Sequence, residues 1–193
     1  ALRCPACQRT QATPFRQTQL GLDFIQKIFP ENFLRSQVRR IIFSGGLGDA
    51  IYNTELLEIF RYLKGASPET NLTLVTNGSY KKAAWWEELA ATVNSFDEVV
   101  FSVDGWDHES NNLYRIGSDW ESIMAGMGVM ARSPALVFWA TIVFRFNQER
   151  LGEIEEIARK KGVNRFSLVC SERFDPNDPN CPDPQFITQF RSP

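Results

Sequence analysis

The chain has 193 residues, of which 43% are hydrophobic and 23% charged, and its formal net charge is −2. Those values suit one soluble globular domain and argue against a nucleic-acid or acidic-membrane partner. No apolar run approaches the length of a membrane span, and no signal peptide is visible.

The first motif precedes any periodic segment. Cys4-Pro5-Ala6-Cys7 is a Cys-x-x-Cys turn, which can chelate a soft metal or form a redox pair. With Cys170 and Cys181 the chain has four cysteines, too few for a disulfide scaffold at this length. Their grouping fits a reducing, cytoplasmic compartment.

Leu20, Phe24, Ile25 and Ile28 then recur at helical spacing, until Pro30 ends that helix or begins another turn. Arg40–Phe43 is a short strand, followed at once by Ser44-Gly45-Gly46-Leu47-Gly48-Asp49. Asn53 is placed to cap a helix with the apolar face Leu56, Leu57, Phe60 and Leu63. Leu72–Thr76 is the next strand, closed by Asn77-Gly78, and a helix through Trp85, Trp86, Leu89 and Val93 follows. Glu98–Val103 is a strand closed by Asp104-Gly105. Trp106 to Gly117 reads as an irregular loop that holds the single histidine, His108. Ser118-x-x-Glu121 resembles a capping box for a helix bearing Ile123, Met124 and Met127. Ala135–Phe144 is the longest apolar run and predicts a buried strand. Asn147 is placed to cap a helix with Leu151, Ile154, Ile157 and Ala158. Arg165–Val169 is the last strand. From Phe174 to Pro193 the chain is rich in Asp, Asn and Pro. Both ends look cut, so the chain reads as a fragment: a core over residues 1–170 and an irregular tail over 171–193 leading into a further region.

Five strands separated by helices predict an α/β fold with a parallel sheet and helices outside it. A sixth strand is expected upstream of Ala1. Two windings satisfy the pattern, a barrel-like wrap or an open doubly wound sheet, and both put the ligand site at the carboxyl ends of the strands. Those ends present Cys4 and Cys7, then Gly45, Gly46, Gly48 and Asp49, then Thr76 and Asn77, then Ser102 and Asp104, then Arg145 and Asn147. Such a rim suits a polar small molecule carrying an amine and a carboxylate beside a metal.

That order of motifs resembles the radical S-adenosylmethionine (radical SAM) superfamily from Ala1 to about Val169. Cys4-Pro-Ala-Cys7 matches the last two cysteines of its Cys-x-x-x-Cys-x-x-Cys motif, and the first would fall one residue before Ala1. The resemblance implies a partial TIM-like (β/α)6 barrel whose first strand is missing. It also implies a [4Fe-4S] cluster held by three thiolates, with one iron left open for the amine and carboxylate of SAM. Reductive cleavage of SAM would then give a 5′-deoxyadenosyl radical that abstracts hydrogen from a small molecule or peptide, with a flavodoxin or ferredoxin as electron donor. Carried over residue by residue, Cys4 and Cys7 resemble cluster ligands, and Gly45 and Gly46 resemble the family's Gly-Gly-Glu-Pro loop. Here that loop reads Gly-Gly-Leu-Gly-Asp-Ala, longer, with Asp49 in place of the Glu. Asn77, with Ser102 and Asp104, resembles the strand ends that reach SAM and its ribose. Arg145 would pair with the SAM carboxylate, Asn147 would touch the ribose or cap its helix, and Val169 would lie under the adenine. Cys170 and Cys181 would lead towards a second, cluster-binding region.

Two other readings remain open on the residues alone. One is a β/α domain whose Cys-x-x-Cys is a zinc or thiol-redox site. The other is a degenerate scaffold that keeps the fold for binding only.

Overall fold

Short apolar runs closed by polar or glycine clusters become five strands: β1 (Arg40–Phe43), β2 (Asn71–Thr76), β3 (Glu98–Ser102), β4 (Leu136–Ile142) and β5 (Arg165–Val169). A computed structural model describes residues 2–12, 18–171, 173 and 177–191. Ala1 and the cysteine expected before it lie outside the described residues, as do Phe174 and Pro193 of the tail. The strands pair in the order β1-β2-β3-β4-β5, and every pair is parallel. A doubly wound sheet reverses its order at a switch point and is covered on both faces. Sequential pairing with helices against one face is instead the winding of a barrel, here not closed.

The register explains which residues are covered. Leu74 stands beside Val99, and Phe101 beside Trp139. Leu72, Leu74, Val99, Phe101, Val137 and Trp139 are all fully buried against the helical layer. The alternate residues Val75, Val100, Ser102, Phe138 and Ala140 lie on the other face and are only half-buried. A strand has a side-chain period of two, so this alternation separates the packed face from an open concave one.

The helices are α1 (Gln8–Gln11), α2 (Leu22–Ile28), α3 (Glu31–Gln37), α4 (Leu56–Ala66), α5 (Ala83–Thr92), α6 (His108–Asn112), α7 (Trp120–Met130), α8 (Leu151–Lys160) and α9 (Pro184–Arg191). In α4, Leu56, Ile59, Phe60 and Leu63 recur at three and four residues and are buried, while Glu58 and Arg61 face water. Burying each such side chain contributes about 1.5–3 kcal/mol. Met127 and Met130 of α7 and Trp86 of α5 join the same core, as their spacing implied.

At the amino ends of β2 and β3 a buried ion pair fastens α4 to the sheet. Lys64 Nζ lies 2.9 Å from Asp97 Oδ1 and donates to the carbonyls of Pro68 and Thr70. Asp97 is fully buried and also accepts the N–H groups of Leu72 and Asn94.

Several local expectations are corrected. Phe24 and Ile28 are 48% and 42% exposed, so only Ile25 of that predicted face enters the core. Pro30 is the N-cap of α3, and a second helix follows the first. Helix α4 starts at Leu56 after Glu55, while Asn53 closes a turn by accepting the Glu55 N–H. The cap of α7 is Asp119, which accepts from Ser122 N, one residue later than Ser118 and Glu121 suggested. The loop after β3 contains α6, capped by a box between Asp107 and Ser110. The tail, read as irregular, contains α9. Among the described residues, no helix is long and apolar enough to cross a membrane.

Candidate functional site

The amino-terminal thiols and the strand ends meet in one cavity of ≈ 160 Å³, lined among others by Cys4, Cys7, Gly45, Asp49, Asn77, Ser102 and Arg115. The cysteine loop is a turn: the Cys7 N–H donates to the Cys4 carbonyl at 3.2 Å, and Cys7 then caps α1. Pro5 stands at the second turn position, where its fixed φ is favourable. Both thiols are free and half-buried. Burial pushes the Cys4 thiol up, the Arg115 guanidinium pulls it back, and Cys7 and Asp104 add to the rise.

The glycine loop after β1 turns inward because it has no side chain at Gly45. A Cβ there would sit 1.1 Å from the Gly48 carbonyl oxygen. Gly46 lies over α1 instead, where a Cβ would be 3.5 Å from Gln8 Oε1. Asp49 laces this loop to the end of β2. Its Oδ2 accepts the Thr76 hydroxyl at 3.0 Å, the Asn77 N–H at 2.7 Å and the Asn77 side-chain amide, and its Oδ1 accepts Ile51 N. Beside it Tyr52 lines the cavity, and its ring lies 4.7 Å from that of Tyr80 at the rim.

Asp104 does not line the cavity. It is fully buried, its Oδ2 lies 2.7 Å from Arg115 Nε, and its Oδ1 accepts the Ile142 N–H at 2.9 Å. Burial raises its carboxyl, against the pull of Arg115 and of that N–H. Asn147 is also fully buried and away from the cavity wall. It accepts the Phe144 N–H and donates to the carbonyls of Asp104 and Ile142, so it ties the exits of β3 and β4 together. It does not bond α8 as a side-chain cap.

Arg145 is exposed and turned towards the tail, where its Nε donates to the Cys181 carbonyl and its N–H to the Asn180 carbonyl. Val169 is 43% exposed at the end of β5, and its carbonyl accepts the Val143 N–H. Among the described residues, no group of three or more His, Cys, Asp or Glu converges to hold a metal, so Cys170 and Cys181 do not complete a site with Cys4 and Cys7.

Arg115 is the cation that sequence reasoning missed. It lies in the stretch read as an irregular loop, thirteen positions beyond Ser102. The available signal was Asp104 itself: a carboxylate at the exit of a buried strand requires a counter-charge.

No protein-family model matches the chain, and no curated protein matches it by sequence. Solved structures do match. The structure of anSMEcpe with bound AdoMet superposes with a TM-score of 0.73 at 16% identity, over 98% of this chain and 54% of that one. The same enzyme with AdoMet and a Kp18Cys peptide gives a TM-score of 0.71. SuiB of Streptococcus suis bound to S-adenosylmethionine gives a TM-score of 0.72 at 14% identity, over 98% and 44% of the two chains. A radical SAM methyltransferase from Sphaerobacter thermophilus gives 0.62 at 17% identity, over 98% and 58%. The chain thus spans about half the length of these proteins. Through nearly all of its length, this chain has the fold of the radical SAM enzymes.

Proposed function

We propose that the chain is the core of a radical SAM enzyme, in which Cys4 and Cys7 supply two of the three thiolates of a [4Fe-4S] cluster and SAM lies across the neighbouring strand ends. One observation carries the reading. The two thiols, the Gly45 turn, Asp49, Asn77 and Ser102 come from four separate segments and line a single cavity. Two soft donors on a fixed turn, with a guanidinium beside them, fit the edge of an anionic cluster. They do not complete its ligand set, and the third thiolate is assigned to the position before Ala1. When bound, the cluster and SAM together supply the 5′-deoxyadenosyl radical that removes hydrogen from substrate.

The chain's own residues have separable tasks. Asp49 accepts three donors on Oδ2 and one on Oδ1, and keeps capacity on Oδ1 for the SAM amine. Backbone at Gly45 and Gly48 lines the cavity with it. Arg115 takes the carboxylate role first given to Arg145, because its guanidinium lines the cavity while Asp104 holds its Nε. Ser102 and Asn77 offer hydrogen bonds at the cavity wall. The enclosed volume is smaller than the roughly 300–1,000 Å³ of small-molecule sites. It suits the amino-carboxylate end, with the nucleoside and substrate along the open concave face. A peptide is the favoured substrate class, since anSMEcpe is solved with AdoMet and peptide bound. A flavodoxin or ferredoxin would supply the electron.

Anaerobic reconstitution with iron and sulfide of the chain extended upstream of Ala1, so that the third thiolate is present, tests this reading. The expected product is brown and, once reduced, has an EPR signal that shifts on adding SAM, with both lost in Cys7→Ser. A colourless protein holding stoichiometric zinc would overturn it in favour of the zinc or thiol site.

A further inference from the structure

The mouth of the cavity carries a pair of tyrosines and two cations. Arg9 lies on α1, two residues beyond Cys7, and lines the cavity. Tyr52 lines it too, from the short 3₁₀ turn Ala50–Tyr52 that follows the glycine loop. The Tyr80 ring lies against that of Tyr52, with centroids 4.7 Å apart and planes 33° from parallel. Lys81 Nζ is 4.9 Å from the centre of the Tyr80 ring and 5.1 Å from that of Trp85 in α5. Lys81 is thus one ring removed from the cavity wall.

Two loops are fastened together to make this mouth. Asp49 accepts from Ile51 N on one side and from Thr76 and Asn77 on the other, so one carboxylate ties the loop carrying Tyr52 to the loop carrying Tyr80. The second loop reverses at Gly78, where φ is 73° and a Cβ would come 3.0 Å from the Phe101 ring. Ser79 N then donates to Asn77 Oδ1 and fixes the approach of Tyr80.

The two cations have no counter-charge of their own. Among the described residues, neither Arg9 nor Lys81 forms an ion pair with an Asp or Glu. A lysine kept only for solubility holds its head in water. Lys81 is half-buried against two rings instead, and that burial pulls its ammonium below the usual lysine value. Ring faces attract a cation without cancelling its charge.

We propose that the mouth formed by Arg9, Tyr52, Tyr80 and Lys81 selects the substrate by receiving a carboxylate of the peptide. This deepens the peptide reading given above and rests on it for the nature of the substrate. The SAM carboxylate belongs to Arg115, which is paired on one side with the buried Asp104, whereas Arg9 and Lys81 stay partly open to water. A carboxylate at the mouth is held by charge-assisted contacts, and the tyrosine rings cover the apolar stem that carries it.

Equilibrium binding of fluorescein-labelled Gly-Ser peptides to the metal-free chain, followed by anisotropy, tests this without any cluster. Three peptides carry Glu, Gln or Lys at one central position and are amidated at the carboxyl end. A fourth is the Gln peptide with a free carboxyl end. The Glu peptide is expected to bind about two- to fivefold more tightly than the amidated Gln peptide at low salt, the range of a partly exposed ion pair. That margin is expected to shrink at high salt. Lys81→Glu is expected to turn the preference towards the Lys peptide, and Arg9→Gln to narrow it. Should Lys81→Glu not fold, Lys81→Met decides by reducing the Glu preference. A preference for the free-ended Gln peptide over its amidated twin supports the subsite and assigns it to a chain terminus. Equal binding of all the peptides, binding of none, or a Glu preference that survives in the folded Lys81 variants overturns it. A Glu preference in a chain that cleaves no SAM once extended and reconstituted keeps the subsite and counts against the radical SAM reading.

Discussion

Asp49 concentrates four donors on one carboxylate at the mouth of the cavity, and its ionisation links the site to stability. Burial is the largest influence and pushes its carboxyl above the ordinary range, while the Asn77 and Ile51 N–H groups and the Thr76 hydroxyl pull it back. A carboxyl raised in the folded state holds a proton that the unfolded chain has already released. Its contribution is therefore greatest below the ordinary carboxylate value and declines as pH rises through the raised one. Asp49→Asn is expected to flatten that decline across the mildly acidic range in urea unfolding. It should also lower stability by about 1–3 kcal/mol at neutral pH, because its amide faces donors it cannot accept. An unchanged pH slope would contradict the assignment. The resemblance in the sequence implied that Asp49 takes the place of the family's Glu. The lacing to Thr76 and Asn77 was not legible, because it depends on how the loops after β1 and β2 approach each other.

Among the elements, the Lys64–Asp97 pair is the fastening between α4 and the sheet. Both side chains are buried, and the pair joins α4 to the amino ends of two strands, opposite the site. Lys64→Met is expected to lower unfolding free energy by about 3–5 kcal/mol, since it leaves a buried charge without its partner. SAM affinity per folded molecule should be unchanged, which separates this end of the sheet from the functional end. Strands and most helices were legible because Leu72–Thr76, Glu98–Val103 and Ala135–Phe144 are apolar runs with polar closures, and α4 has an unbroken helical period. Helix α6 was not, since His108–Asn112 is entirely polar and owes its existence to the Asp107–Ser110 box and to Asn111 under Asp104. Phe24 and Ile28 share a period with Ile25, yet period alone does not say which side of a helix meets the sheet.

Across the whole molecule, one face of the sheet is packed by helices and the other stays open, with the thiols at one end of the open face. The choice between barrel and doubly wound sheet needed strand order, which no local pattern contains. Arg145 and Asn147 fall at a strand exit in the sequence, but the tail and the Asp104 carbonyl occupy them. Arg115 reaches the cavity from a segment with no apolar period. The placement of the thiols beside Gly45 and Ser102 was correctly anticipated, because strand order along the chain carries each carboxyl end to the same rim.

We propose that this rim holds SAM against a cluster at Cys4 and Cys7. Incubating the anaerobically reconstituted protein with SAM and a strong reductant, and measuring 5′-deoxyadenosine, tests it most directly. Accumulation of 5′-deoxyadenosine that is lost in Cys4→Ser is the expected result. Intact SAM beside a fully reconstituted, reduced protein would contradict the account.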